Sequence, residues 1–148
     1  NYDSPSAFFD DLGFSVMNIQ GGSAGALWGV FFTGIGKALA NKPDAGIADI
    51  FDGALKELQT ISNAKEGDKT MMDAIIPAVK AMKEAADDRV ALRKGADAAQ
   101  QGAENTINFV AKFGRAKNYG ERSLGVKDAG ACSIALLFQG MQIGFNGQ

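Results

Sequence analysis

The sequence predicts an all-α protein, an antiparallel bundle of five or six helices, on three observations. Apolar residues recur at helical spacing along almost the whole chain. No segment shows the sustained alternation of a half-buried strand. Most connections read as short, so successive helices fold back on one another.

Each element has its own signal. Ser4-Pro5 is an N-cap followed by proline at the first helical position, opening a helix with Phe8, Leu12 and Val16 at four-residue steps. A glycine-rich stretch, "GGSAGALWG" (21–29), leads into a second helix whose apolar face is Leu27, Val30, Phe31, Ile35, Ala38 and Leu39. After the turn "NKPDAG" (41–46), Ile47, Ile50, Phe51, Ala54, Leu55, Leu58 and Ile61 form the cleanest amphipathic pattern in the chain. A helix from about Thr70 carries Ile75, Ile76, Val79 and Met82, and Pro77 is expected to kink it. An Ala-rich helix is expected from Asp88 to about Lys112. The irregular stretch 114–130 then precedes a last apolar helix containing Ile134, Leu137, Phe138 and Met141. Phe31, Phe51, Leu55, Ile76, Val79, Leu137 and Phe138 are expected to face a common interior.

At 148 residues the chain reads as a single domain spanning 1–148. Its 46% hydrophobic and 22% charged residues are ordinary for a globular protein, and a net charge of −2 with interspersed signs gives no footprint for nucleic acid. No apolar run approaches the roughly 20 residues of a membrane span, and no signal-peptide pattern opens the chain. The single cysteine, Cys132, cannot pair internally and reads as a small buried residue; it favours a reducing compartment, so the location reads as cytoplasmic. There is no histidine, which excludes Ser-His and Cys-His nucleophiles, histidine bases and Cys/His zinc sites within this chain. Carboxylates, Lys/Arg, hydroxyls and backbone amides remain, a set suited to phosphate. The first residue is Asn1 rather than methionine, so the chain is expected to be a processed product or part of a longer polypeptide.

Three irregular segments interrupt the helices: "GGSAG" (21–25), "KEGDKTM" (65–71) and "GRAKNYGERSLGVKDAG" (114–130). Alternate connections of an up-down bundle lie at the same end, so all three are expected to converge. A glycine-rich helix start offers free N–H groups and a favourable dipole to an anion. Glycine also lets the backbone approach phosphate oxygens closely. Ser23 adds a hydroxyl, Arg115, Lys117 and Arg122 add charge, and "DAGA" (128–131) opens another helix by the same logic. The competing readings are bland: close helix packing for the glycines, a surface charge for Arg115, and a simple N-cap for Asp128.

These segments carry a resemblance. "GGSAGALWGVFFTG", "EGDKTMMDAIIPAV" and "GRAKNYGERSLGVKDAGA" are similar to the signature stretches of the DhaL-type nucleotide domain of dihydroxyacetone kinases, in the family's order and near its spacing. The resemblance covers nearly the whole chain. It implies an antiparallel helical barrel, of about eight helices in the family, that binds ADP or ATP with magnesium. It also implies phosphorylation of dihydroxyacetone held on a separate DhaK-type subunit or domain. By position, the glycine-rich turn at the phosphates maps to Gly22, Ser23 and Ala24, and the methionine near the base to Met71. The arginine of the GRA motif maps to Arg115, and the aspartate–glycine turn to Asp128, Ala129 and Gly130. Other partners implied are a phosphotransferase-system donor that recharges bound ADP, or a transcriptional regulator.

The chain also departs from the pattern. The usual GG-x-SG reads GGSAG here, and H-x-DPG reads VKDAG, without histidine or proline. The family's D-x4-D-x-D magnesium cluster belongs upstream of the first helix, so metal ligands and the first helices are expected before Asn1. Asp44, Asp49 and Asp52 have the wrong last spacing to replace them, and Asp49 and Asp52 read as part of a solvated helix face. Two functions from different classes follow. One is the nucleotide part of a dihydroxyacetone-type kinase, not competent alone without the aspartates. The other is a non-catalytic, nucleotide-bound adaptor. A ligand-free bundle is the third.

Overall fold

In the computed structural model, which describes residues 1–19 and 22–147, every regular element is helical. Six α-helices stand in order: α1 (Pro5–Met17), α2 (Gly22–Asn41), α3 (Ile47–Ile61), α4 (Met72–Lys83), α5 (Asp88–Asn105) and α6 (Ala129–Asn146). Two 3-10 segments, Thr106–Asn108 and Arg115–Ser123, lie between α5 and α6. The chain divides into two compact units, Asn1–Asn63 and Ala64–Gln148, each with its own core.

In the first unit α1 starts where the sequence places it, because the Ser4 hydroxyl accepts the Ala7 N–H at 3.1 Å and Pro5 needs no N–H partner. Ascending residues of α2 meet descending residues of α1, so the pair is antiparallel. The contact is built from small residues. A Cβ on Gly13 would lie 2.8 Å from the Gly29 carbonyl oxygen, and one on Gly29 would overlap the Met17 side chain. Farther along, the Ser6 hydroxyl donates to the Gly36 carbonyl at 2.9 Å. On the other side of α2, Gly34 lies against Glu57 while, one turn on, Ala38 lies against Gly53, so α3 is antiparallel as well; Lys37 pairs with Glu57 at 2.8 Å. Phe31, fully buried, sets its ring 5.9 Å from that of Phe51 at a 40° tilt, and Leu55 and Leu58 complete this core.

The second unit pairs α4 with α5 and α5 with α6. Met82 sits over Gly95, which also faces Phe138, while Gln139 donates to Gln100 at 3.2 Å. Its core holds Ile75, Val79, Met82, Leu92, Ile134 and Phe138. Pro77 lies inside α4, which is continuous from Met72 to Lys83. Proline has no N–H to offer the Asp73 carbonyl one turn back, and it is at this carbonyl that Gly102 of α5 makes its closest approach. The expected core therefore divides: Phe31, Phe51 and Leu55 are buried in the first unit, and Val79 and Phe138 in the second. Ile76 and Leu137 are only half-buried.

The expected end of α5 is corrected. The helix stops at Asn105, not near Lys112. Thr106 is fully buried and its hydroxyl turns back to the Ala103 carbonyl at 2.6 Å. The chain then passes through one 3-10 turn into extended backbone at Phe109. Tertiary partners of Thr106, described below, override the helical propensity of the sequence.

Gly102 and Gly140 test this packing as a pair. Gly102→Ala places a methyl on the Asp73 carbonyl and is expected to cost about 1–3 kcal/mol, the usual overpacking range. Gly140→Ala, with nothing within 4 Å of its Cβ, is expected to stabilise by about 0.4–1 kcal/mol. Urea unfolding of the two variants measures both; equal effects would contradict the α4–α5 contact.

Candidate functional site

The segment 64–71 is held by its own carboxylates. Asp73, in the first turn of α4, reaches back to accept the N–H groups of Gly67 at 2.5 Å and Thr70 at 2.7 Å. Asp68 accepts the Lys65 N–H at 2.8 Å and pairs with Lys112 at 2.6 Å. The Lys112 amide in turn donates to the Asp68 carbonyl at 3.2 Å, so the 109–112 stretch is laid along this loop. The bend falls at Gly67 and Lys69, both with positive φ.

Lys69 is the centre of the arrangement. It is 4% exposed, and its ammonium donates to the carbonyls of Thr106 at 2.6 Å and Val126. The Thr106 hydroxyl accepts the Asp128 N–H at 2.8 Å. Asp128 caps α6 by accepting the Ala131 N–H at 2.8 Å. Just beyond it, Gly130 lies against Met71: a Cβ there would stand 3.3 Å from the Met71 Cβ and 3.4 Å from its amide nitrogen. Residues far apart in sequence thus meet within one unit.

Electrostatics follow from burial. Burial pushes the Asp73 carboxyl above the usual carboxylate range, with the Thr70 and Gly67 amides working against it. Asp128 is likewise raised, by burial first; its capped amides oppose the shift, and the nearby charge of Asp73 adds to it. Asp68 is lowered, by the hydrogen bond from Lys112 and then that from Lys65.

Of the residues expected from the sequence, Met71, Asp128, Ala129 and Gly130 are brought together here. Asp128 is an N-cap, and its carboxylate occupies the α6 amides that the phosphate logic had offered to a ligand. Arg115 opens the second 3-10 segment after Gly114, exposed to solvent. That segment is pinned by Ser123, whose hydroxyl donates to the Gly120 carbonyl and accepts the Ala111 amide at 3.0 Å. Gly22, Ser23 and Ala24 belong to the first unit, where they open α2, all exposed. Gly22 has φ +64, a bend that glycine makes without strain. Gly25 and Gly29 instead face α1, so part of the glycine run serves packing. Gly21 lies outside the described residues. Asp49, exposed as expected, pairs with Lys42 at 3.9 Å, whereas Asp52, which pairs with Lys56 at 2.7 Å, is half-buried rather than solvated. Lys69, Asp73 and Thr106 had no separate signal, because their roles arise from contacts distant in sequence.

The DAK2 domain model matches residues 1–142, running through both units and all three irregular segments. The chain belongs to the DAK2 domain family. Among relatives of this DAK2 domain, the L-erythrulose kinase of Pectobacterium atrosepticum is 35% identical over 85% of the chain and 22% of that protein. The PEP-dependent dihydroxyacetone kinase ADP-binding subunit DhaL of Escherichia coli is 31% identical, over 87% of the chain and 65% of that subunit. The crystal structure of the dihydroxyacetone kinase from C. freundii in complex with AMP-PNP and Mg2+ superposes with a TM-score of 0.74 at 28% identity, over 96% of this chain and 24% of that one. The chain spans about a fifth of the length of the first curated relatives it matches. No helix among the described residues is long and apolar enough to cross a membrane.

The raised carboxylates make a pH prediction. A carboxyl whose native pKa is raised contributes stability that is fully present below the unfolded value, about 3.9, and lost as pH rises through the native value. Asp128→Asn keeps a capping acceptor and removes this titration. Thermal unfolding between about pH 4 and 7 is expected to show a flatter dependence than wild type, with no loss at neutral pH. A variant with the wild-type slope and lower neutral stability would contradict the burial of this carboxylate.

Proposed function

We propose that this DAK2 domain binds an adenine nucleotide and serves phosphoryl transfer to a small dihydroxyacetone-like ketose. On this reading the substrate is held by a separate DhaK-type domain or subunit, and the chain is the nucleotide-binding part of a cytoplasmic kinase. The observation that carries the reading is the meeting of Met71 with the Asp128–Gly130 turn, two family-matched segments far apart in sequence. The relatives with kinase names support it.

The residues divide by what they offer. Gly22, Ser23 and Ala24 begin a 20-residue helix with no acidic residue in its first turn, so its amides and dipole favour phosphate. Arg115 is an exposed guanidinium able to make paired hydrogen bonds to phosphate oxygens. Met71 and the Ala129–Gly130 start of α6, beside the Asp128 cap, offer a side-chain-poor surface to the base. Phosphoryl transfer needs positioning and charge neutralisation more than covalent chemistry, and these groups supply the first. Magnesium is a different matter: among the described residues no three carboxylates or thiols stand together to hold a metal. A further partner on this reading is a phosphotransferase protein that recharges bound ADP, or a transcriptional regulator that the nucleotide-bound chain contacts.

Arg115→Ala in the full chain tests the phosphate assignment. Its exposure leaves the fold untouched, and loss of a charged hydrogen bond is expected to weaken AMP-PNP binding by about 1.5–3 kcal/mol, roughly ten- to 150-fold. Calorimetric titration reads this directly. Unchanged affinity returns Arg115 to the status of a surface charge.

A further inference from the structure

Position 69 presents a conflict that a purely local account does not resolve. Its backbone has φ 60, in the left-handed region where glycine is at ease and a long side chain is strained. Such strain persists only where the surroundings demand it. The side chain is also 4% exposed, and burying an ammonium carries a heavy desolvation cost unless it is well partnered. A glycine would make the bend more easily and bury nothing charged. Something at this position therefore requires the ammonium itself.

Its partners show what that is. The Nζ donates to two main-chain carbonyls, Thr106 at the end of α5 and Val126 just before Asp128. Among the described residues it forms no ion pair, so its charge is not cancelled by a touching carboxylate. Two residues after Lys69 comes Met71, and four after Val126 comes Gly130, the pair that meets across the site. One side chain thus ties together both halves of that contact. The same charge also acts on Asp128 against the repulsion from Asp73.

We propose that Lys69 is a positioning residue for nucleotide binding: its buried ammonium clamps the Val126–Gly130 turn onto the Met71 loop and holds the nucleotide-facing wall in register. It touches no phosphate and acts through the turn. This inference rests on the nucleotide reading given above, and the test separates the two.

The full chain is titrated with AMP-PNP and Mg2+ as wild type, Lys69→Met, Lys69→Gly and Lys69→Arg. Lys69→Met keeps the apolar stem and loses the donors; Lys69→Gly relieves the backbone as well; Lys69→Arg retains charge and donors. The expected result is at least tenfold weaker binding in the Met and Gly variants and a substantial recovery in the Arg variant. Cys132, the single thiol of the chain and in the first turn of α6, reports the turn independently. Its alkylation without nucleotide is expected to accelerate in the Met and Gly variants. Lys69→Gly that binds like wild type overturns the clamp, since only the bend would then matter. Wild type that binds neither AMP-PNP nor ADP, with or without Mg2+, overturns the nucleotide reading and the clamp with it. Should the variants fail to fold, the wild-type chain still decides by NMR. The Lys69 ammonium resonance is expected to shift on saturation with AMP-PNP, and a fixed resonance in a nucleotide-bound chain overturns the proposal.

Discussion

The second unit depends on satisfying the polar groups buried where α5 ends. Thr106 has no exposed surface, yet its hydroxyl and carbonyl between them serve Ala103, Lys69 and Asp128. A buried hydroxyl or ammonium without partners is far costlier than one with them. Among the described residues no buried side-chain nitrogen or oxygen lacks a partner. That requirement makes the 64–71 loop, the helix end and the start of α6 one object. None of the three can move without orphaning a group in another.

The first unit follows a different constraint, closeness of backbones. Gly13 and Gly29 let α1 and α2 approach until main chain meets main chain, and the aromatic cluster around Phe31 fills what lies beyond. The glycine-rich stretch therefore serves two needs at once. Gly25 and Gly29 are bare toward α1, whereas Gly22 is bare for its backbone angle at the helix start. The α2 start is exposed and has no acidic residue in its first turn, so its amides stay open to an anion, as proposed above.

Much of this was legible in the sequence, for reasons that can be named. Ser4-Pro5 and Asp128 are local capping signals, and both caps form as read. The bounds of α3 follow from its apolar period, Ile47 to Ile61. The end of α5 was not legible, because Thr106 leaves the helix for partners twenty and more residues away. Ile76 and Leu137 fit the helical period but lie at the edges of their faces, where one step of rotation decides burial. The resemblance points to Met71, Asp128 and Gly130; Lys69 and Asp73, inside the same motif, carry no local signal, because a charged residue in a loop or a first helical turn ordinarily reads as solvated. Burial was the missing information, and no local pattern carries it.

The central claim is that the 65–71 loop and the 126–131 turn form one preorganised wall that a nucleotide engages. Amide hydrogen exchange on the full chain, with and without AMP-PNP and Mg2+, tests it most directly. The account predicts measurable protection in both segments without ligand, and a further slowing in both, together, when nucleotide binds. Slowing confined to one segment, or bound nucleotide that leaves both unchanged, would contradict it.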